Sequence, residues 1–521
     1  MGRFLYPVDT DQFADIRKDG KVYVDKTDMV FDLVGKYRYV FLARPRRFGK
    51  SLLCNTFKAY FQGQKELFEG LKIAELEKEW KKYPVLHFTM SGLKNCTIPE
   101  AKSALELFIG DYEKIYGRNM AEETPGKRFR GLIHRACEQT GEKAVVILDE
   151  YDSAIMRLMY EPEQLEAMRT MLREFYQVLK DEGAYLRFVF ITGVTKFSQL
   201  SIFSELNNLT QISMYDEYSG LCGITQEELD TVLRPCVEEY ARNLEITTDE
   251  AYALLKKNYD GYHFARKRQD VYAPFSVLRA FDGRNTDHYW FESGTMTSLI
   301  EHLRHYPLKT ALQYDGVKVG LDEFNISCES ASTPIPLLYQ TGYLTIKAYD
   351  KETESYTLGY PNKEVRNGFL NSLLARYNNQ DPAGASFVIR FNAALRKGNV
   401  EEALSRMQSF LAAMPNDLEN KTEKHYQTII YLIFSLLGYY IRTEEKSAIG
   451  RADAVCWTDN SIYVFEFKVD SSAETALKQI DDKGYMIPFR FEDGKRLVKV
   501  GVNISTVSRT LEDWKIDVVN V

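Results

Sequence analysis

Five apolar residues in a row, Tyr39-Val40-Phe41-Leu42-Ala43, run straight into the basic, glycine-containing stretch Arg44-Pro45-Arg46-Arg47-Phe48-Gly49-Lys50-Ser51, and an apolar helical pattern starts at once with Leu52 and Leu53. A strand, a loop and a helix must follow one another without a spacer, which ties this part of the chain to a parallel sheet with crossover helices. Further apolar or β-branched runs at Val85–Met90, Ala144–Leu148 and Arg187–Ile191 repeat the rhythm over roughly the first 220 residues. Gln164–Lys180 carries the apolar spacing of a helix lying on such a sheet.

A chain of 521 residues exceeds what one core usually organises, so about two to four domains are expected. The layout read from composition and turn signals is an α/β core over 1–220, a helical lid over 221–286, a mixed and helical middle region over 287–414 and a last domain over 415–521. In the lid, Thr225–Lys257 reads as two helices, each preceded by an acidic, threonine-containing segment able to cap it. The middle region holds a hairpin, Tyr343–Ile346 with Tyr356–Leu358, and a helix over Asn392–Ala413 that ends at Pro415-Asn416-Asp417.

The net charge of -7 argues against a protein that coats nucleic acid non-specifically, while leaving room for a local basic surface. The cysteines Cys54, Cys96, Cys137, Cys222, Cys236, Cys328 and Cys456 are scattered, without a CxxC or a Cys/His cluster, as expected of reduced thiols in a cytoplasm. The longest apolar stretch, Tyr426–Ile441, is interrupted by Gln427, Thr428 and Ser435 and reads as a core helix; no membrane segment is expected.

The strand-to-helix setting of Arg44–Ser51 suits phosphate. Backbone N–H groups at a helix start hold phosphate oxygens, Lys50 reaches the β and γ phosphates, the Ser51 hydroxyl joins a Mg²⁺ shell, and Gly49 permits close backbone approach. Arg44 stands where the usual pattern has its first glycine, so the match is incomplete; Arg44, Arg46 and Arg47, with Phe48 between them and Gly49, face phosphate, a partner or solvent. The run Val145–Leu148 delivers Asp149 and Glu150 to a strand's C-terminal end, where α/β sheets place ligands. Asp149 would hold Mg²⁺ through Ser51, and Glu150 would polarise the attacking water. Alone, that pair would serve equally well as a helix cap. Asp152 reads as the N-cap of the next helix. Thr192, at the end of the Arg187–Ile191 strand, is the better-placed sensor of a γ-phosphate; Lys196 is a further cation that no spacing rule selects.

With these residues in place, residues 1 to about 280 resemble the AAA-ATPase-like family of bacterial proteins, whose loop reads RPRRFGKS. Tyr23-Val24-Asp25-Lys26-Thr27 and Tyr259-Asp260-Gly261-Tyr262 match that family too, and the arginine in place of the first glycine is shared with it. The resemblance implies an ATP- and Mg²⁺-using sheet of the ASCE type, with the sensor strand between the two Walker strands. It also makes a homo-oligomer an open possibility, because this class often completes its site across subunits.

After Pro415 come a helical segment, Glu423–Leu437, then Gly450-Arg451-Ala452-Asp453, a turn near Asn460 and the strand Ile462–Lys468, followed by another helix. Alternation puts Glu466 and Lys468 on one face, where Asp453 could meet them from the adjoining strand. Two carboxylates and a lysine are what Mg²⁺-dependent phosphodiester hydrolysis needs, and Glu423, on the preceding helix, is a further candidate ligand. Alternation alone also allows a solvent-facing pair. The order Asp453, Glu466-Phe467-Lys468, Gln479 resembles the PD-(D/E)XK nuclease superfamily over about the last 105 residues. By that resemblance Asp453 and Glu466 bind metal, Lys468 positions water, and Gln479, Lys483 and Tyr485 support the site or a nucleic acid, DNA in the first place.

The function expected is thus an ATPase that regulates a Mg²⁺-dependent nuclease domain. The alternative is an ATP-driven switch whose nuclease-like domain binds nucleic acid or a partner without cutting. A substrate kinase ranks last, for want of an acceptor pocket.

Overall fold

The computed structural model describes residues 4–159, 161–195, 208–267, 269–291, 299, 303, 314–328, 331–377, 383–413, 426, 429–430, 432–434, 436, 442–444, 453–490 and 494–519. The chain divides into two compact units, one of residues 1–298 and 302–365, the other of residues 299–301 and 366–521. The middle stretch 287–414 is therefore shared between them.

The first unit is built on a parallel sheet of β1 (Tyr39–Ala43), β2 (Val85–Thr89), β3 (Ala144–Asp149), β4 (Leu186–Gly193) and β5 (Thr210–Gln211), in the order β2-β3-β4-β1-β5. Every residue of β1 and β3 is buried, because helices cover both faces, and this is why these strands read as unbroken apolar runs. On one face, α1 (Lys50–Phe61) sets Phe57 and Phe61 against Phe188 and Phe190 of β4. On the other, α2 (Ile98–Tyr116), α3 (Pro125–Thr140) and α4 (Pro162–Asp181) bury Leu105, Phe129, Leu172 and Phe175 against Phe41, Phe88 and Val146. The order places β4 between β1 and β3, as the ASCE resemblance implies.

Residues 221–286 form a helical layer with its own core. It contains α5 (Gln226–Asp230), α6 (Arg234–Asn243), α7 (Thr248–Tyr259) and α8 (Pro274–Gly283), with Leu229, Tyr240, Leu255 and Phe281 at the centre. The expected caps exist: Thr225 with Glu228, and Thr247 with Glu250, close reciprocal capping boxes. Three helices rather than two fill Thr225–Lys257, because Pro235 lacks the N–H that an interior helical position needs and so marks the first turn of a new helix. A three-stranded antiparallel sheet follows, ordered β8-β10-β9, with β8 at Val317–Val319, β9 at Thr345–Asp350 and β10 at Ser355–Gly359; the two-stranded pair Ile224–Thr225 and Val271–Tyr272 supplies β6 and β7. The hairpin expected from Tyr343–Ile346 and Tyr356–Leu358 is β9-β10, its first strand shifted along the chain to Thr345–Asp350 and its second one residue longer at each end.

The second unit takes up α9 (Lys363–Tyr377) from Arg366 onward, and in it the helix expected over Asn392–Ala413 is two, α10 (Ala383–Arg396) and α11 (Val400–Ala412), because Gly398 takes a left-handed backbone with φ 74 between them. A mixed sheet, β11-β12-β13-β14-β15, is formed by Arg442–Glu444, Ala454–Trp457, Ser461–Val469, Arg496–Ser505 and Thr510–Val519. β13 and β14 are parallel and joined by α12 (Ala473–Asp482); the other neighbours are antiparallel. Described residues within 426–436 are helical, and Phe434 packs 5.0 Å from the Phe465 ring on one face of the sheet. On the other face Ile480, Tyr485 and Phe489 cover Ile462 and Val464. Among the described residues no helix is long and apolar enough to cross a membrane.

Candidate nucleotide and metal sites

The loop from β1 to α1 is seated residue by residue. The Arg44 guanidinium is 1% exposed; it donates to the carbonyls of Ala43 (3.0 Å), Ser213 (2.7 Å) and Tyr218 (3.2 Å) and lies 4.2 Å from the Phe264 ring centre. Arg44 is expected among the nucleotide-binding residues; its Nη donors end instead on main-chain carbonyls. Pro45 packs so closely on Gly342 that a Cβ there would stand 2.6 Å from Pro45 Cβ. The Arg46 carbonyl accepts from the Trp290 indole at 3.4 Å. Arg47 has a left-handed backbone, φ 66, donates to the Tyr289 carbonyl and lies 3.9 Å from the Phe275 ring centre. Phe48 is buried edge-on against Tyr262 and Phe264, at 4.7 and 5.5 Å.

Gly49 is exposed, with φ 85 and open space where a Cβ would stand, so the left-handed backbone is what requires glycine. Lys50 begins α1, and its ammonium donates to the carbonyls of Arg44 (3.1 Å) and Pro45 (2.9 Å). Burial pushes its pKa down, while Asp149 and Asp152 favour the charge. The Ser51 hydroxyl faces Asp149, whose carboxyl is pushed up by burial and held back by Ser51 and by Lys50. Glu150, half-buried beside it, also takes a left-handed backbone, φ 52, and its carboxylate accepts from Ser153 at 3.1 Å. Two non-glycine residues in this region, costing about 1–2 kcal/mol each, flank one ammonium, one hydroxyl and two carboxylates. That donor set fits a Mg²⁺-bound triphosphate.

Asp152 occupies the N-cap position of the short helix Ser153–Leu158 but makes no capping bond, which corrects the cap read from sequence. Its Oδ2 accepts from Val194 N (3.0 Å), Thr195 N (2.7 Å) and the Thr195 hydroxyl (2.7 Å), tying the end of β4 to the end of β3. The close approach of β4 explains why these donors outcompete the helix: a Cβ on Gly193 would stand 2.5 Å from Asp152 Oδ1. Thr192 donates its hydroxyl to the Leu42 carbonyl at 2.7 Å, inside the sheet. Lys196 lies outside the described residues.

Beside Gly49 opens a cavity of about 100 Å³, walled by the N-terminal segment at Val22, Val24 and Lys26, by Leu52, Leu53 and Thr56 of α1, and by Cys222, Ile224 and Leu278. Lys26 reaches Glu228 of α5 at 2.5 and 2.7 Å, so the ion pair joins the N-terminal segment to the helical layer. The neighbouring Asp25 and Thr27 of the Tyr23–Thr27 motif fix the start of the helix Thr27–Lys36: Asp25 accepts from the Thr27 N–H and hydroxyl at 2.9 and 2.7 Å.

In the second unit β12 and β13 bring Asp453 and Glu466 together, Asp453 accepting from the Phe467 N–H at 2.8 Å. Glu466 is 2% exposed; its Oε1 accepts from Lys468 (2.9 Å) and from Gln479, while its Oε2 is buried without a hydrogen-bond partner. Gln479 can approach because β14 carries Gly501 opposite Glu466, where a Cβ would stand 2.4 Å from the Ala473 carbonyl of α12. Tyr485 is buried, with its hydroxyl 3.4 Å from Gln479 Nε2, whereas Lys483 is exposed at the C-cap of α12. Burial, and then the neighbouring Asp453 charge, push the Glu466 pKa up. An orphaned buried carboxylate oxygen beside a second carboxylate fits a hard divalent cation. Among the described residues no group of three potential ligands gathers, and Glu423 lies outside them.

Residues 7–203 match the model of a predicted AAA-ATPase family, AAA-ATPase-like, and residues 421–514 match the PD-(D/E)XK nuclease superfamily. A protein of Azotobacter chroococcum mcd 1, described as an uncharacterized protein in the vnfD 5' region, is 33% identical over 534 residues, covering 99% of each chain. The chain belongs to the AAA-ATPase-like family and ends in a PD-(D/E)XK nuclease-superfamily domain. In this AAA-ATPase-like chain, the roles of Phe264, Gly342 and Trp290 in seating the loop escape sequence reasoning, since each lies far along the chain. The Tyr259–Tyr262 motif was the available signal.

If the buried Arg44 charge holds the loop, Arg44→Ala lowers stability by about 3 kcal/mol or more, because several carbonyls lose a charged donor. Arg46→Ala, at a half-buried side chain, changes it by less than about 0.5 kcal/mol. Urea midpoints measure both, and equal midpoints for Arg44→Ala and wild type would contradict the seat.

The raised pKa of Glu466 carries a definite sign. The fold favours its neutral form, so the stabilisation is fully present below the unfolded value of about 4.3 and is lost as pH rises through the folded value. Glu466→Gln is therefore more stable than wild type at neutral pH, and the advantage fades in acid. Millimolar Mg²⁺ raises the melting temperature of wild type at neutral pH and leaves Glu466→Gln unchanged; equal shifts in both proteins would contradict a cation at Glu466 Oε2.

Proposed function

We propose that the first unit binds and hydrolyses ATP with Mg²⁺, and that its nucleotide state governs Mg²⁺-dependent cleavage of a phosphodiester, DNA foremost, by the second. What carries this reading is the convergence of Lys50, Ser51, Asp149 and Glu150 at the C-terminal ends of β1 and β3, in a chain that also pairs Glu466 with Asp453, Lys468 and Gln479. In the first unit Lys50 exchanges its two carbonyls for phosphate oxygens, the N–H groups through Ser51 cradle the phosphates, and Ser51 with Asp149 holds the cation. Glu150 leaves Ser153 to orient the attacking water. Residues 1–220 then act as the core and 221–286 as the lid.

In the second unit Asp453 and Glu466 would hold a Mg²⁺, whose chemistry there would be neutralisation of charge on the scissile phosphate and activation of a water. Lys468 positions that water, Gln479 holds Glu466, and Lys483 is left exposed to meet nucleic acid. A second reading, a switch that binds nucleic acid without cutting, draws support from the presence of only two carboxylates at this site among the described residues.

Purified protein is tested on linear and supercoiled DNA and on RNA, with and without ATP and Mg²⁺. Lys50→Ala should lose ATP hydrolysis by about a hundredfold or more, and Asp453→Ala should abolish cutting while leaving hydrolysis intact. Cutting unaffected by Lys50→Ala would break the coupling; hydrolysis without cutting by wild type would favour the switch.

A further inference from the structure

We infer that the cavity beside Gly49 seats a purine base and that Lys26 is the residue that reads it. The inference rests on the reading that Lys50, Ser51 and Asp149 hold a triphosphate, and it adds the part of the ligand that those residues do not touch.

Gly49, Leu52, Leu53 and Thr56 all line the cavity, and their spacing puts them on one face of α1. The cavity therefore continues from the last residue of the loop along the helix that the loop begins, so phosphates cradled at Gly49–Ser51 would send their sugar and base out on this side. Its walls are largely aliphatic, from Val22, Val24, Leu52, Leu53, Ile224 and Leu278, which suits a flat, weakly hydrated ring. About 100 Å³ of this space is open to the centres of water-sized molecules, room for several waters and so for a flat ring.

Polar lining is sparse, and most of it is engaged. The Thr56 hydroxyl donates to the Leu52 carbonyl at 2.8 Å. Lys26 is the one charged side chain among the described residues lining the cavity. Its ammonium has three protons; Glu228 Oε1 and Oε2 take two, at 2.5 and 2.7 Å. Glu228 is fixed in turn by its capping box with Thr225, so the ammonium is held in place rather than swinging on a flexible stem. The third proton can go only to an acceptor. A purine offers ring nitrogens, and its larger ring reaches farther into the cavity than a pyrimidine on the same sugar.

Titration of wild type, Lys26→Met and Lys26→Arg with ATP, CTP and inorganic tripolyphosphate, each with Mg²⁺, tests this. Wild type should prefer ATP to CTP. Lys26→Met should lose about tenfold or more in ATP affinity, the loss of one charge-assisted hydrogen bond, and keep its tripolyphosphate affinity. Lys26→Arg retains the charge facing Glu228 but moves the donor, and should narrow the ATP:CTP ratio. Should Lys26→Met fail to fold, Leu52→Trp fills the cavity from α1 and should lose ATP while keeping tripolyphosphate. Equal losses for ATP and tripolyphosphate in folded Lys26→Met, or an unchanged ATP:CTP ratio in both Lys26 variants, would overturn the role of Lys26. Leu52→Trp with wild-type ATP affinity would overturn the base seat. Wild type that binds neither ATP nor tripolyphosphate would instead sink the underlying triphosphate reading.

Discussion

A guanidinium is buried at Arg44, where a phosphate-binding loop ordinarily has a glycine, and the shape of the loop follows from how that charge is satisfied. Left unpaired, a buried cation costs several kcal/mol; here three carbonyls and the face of Phe264 surround it. Two of those carbonyls belong to Ser213 and Tyr218, and the ring comes from the segment just after Tyr259–Tyr262. The loop therefore cannot form from β1 and α1 alone. It also needs Tyr262 and Phe264 around Phe48, Gly342 beneath Pro45, and Trp290 on the Arg46 carbonyl.

This arrangement places the loop in contact with the helical layer and with the segment that leads into β9, as well as with the end of its own sheet. Trp290 donates its indole N–H to Arg46 and its backbone N–H, at 2.8 Å, to Glu364, a fully buried carboxylate that also accepts from Ser276 of α8 at 2.8 Å. Movement of Lys50 from its carbonyls to a ligand would shift the backbone that these groups hold. The second unit makes a different compromise. Gly501 lets α12 press onto β14 so that Gln479 meets Glu466, and the resulting burial leaves one carboxylate oxygen unsatisfied. Stability is surrendered there, as is common where function and folding compete, and the unsatisfied oxygen is what the proposed cation would take up.

Local features were legible because they depend on neighbours in sequence. The fully buried strands β1 and β3 announce themselves as apolar runs, the threonine–glutamate caps at Thr225 and Thr247 as spacing, and the Glu466–Lys468 pair as alternation along one strand. What stayed hidden depends on partners far along the chain. Arg44 reads as a phosphate ligand until Ser213, Tyr218 and Phe264 are brought to it. Asp152 reads as a cap because its real donors, Val194 and Thr195, lie on another strand. The break at Gly398 was visible as a glycine but not as a left-handed one. Lys26 carried a motif without a role until the cavity gave it surroundings.

The central claim, that the loop, the lid and the middle sheet respond to nucleotide as one, is tested most directly by hydrogen–deuterium exchange of the whole chain with and without a slowly hydrolysed MgATP analogue. The account predicts that protection rises together in peptides covering residues 44–53, 259–265 and 339–346, with no such change in Lys50→Ala. Protection confined to residues 44–53 would show a loop that acts alone and would contradict it.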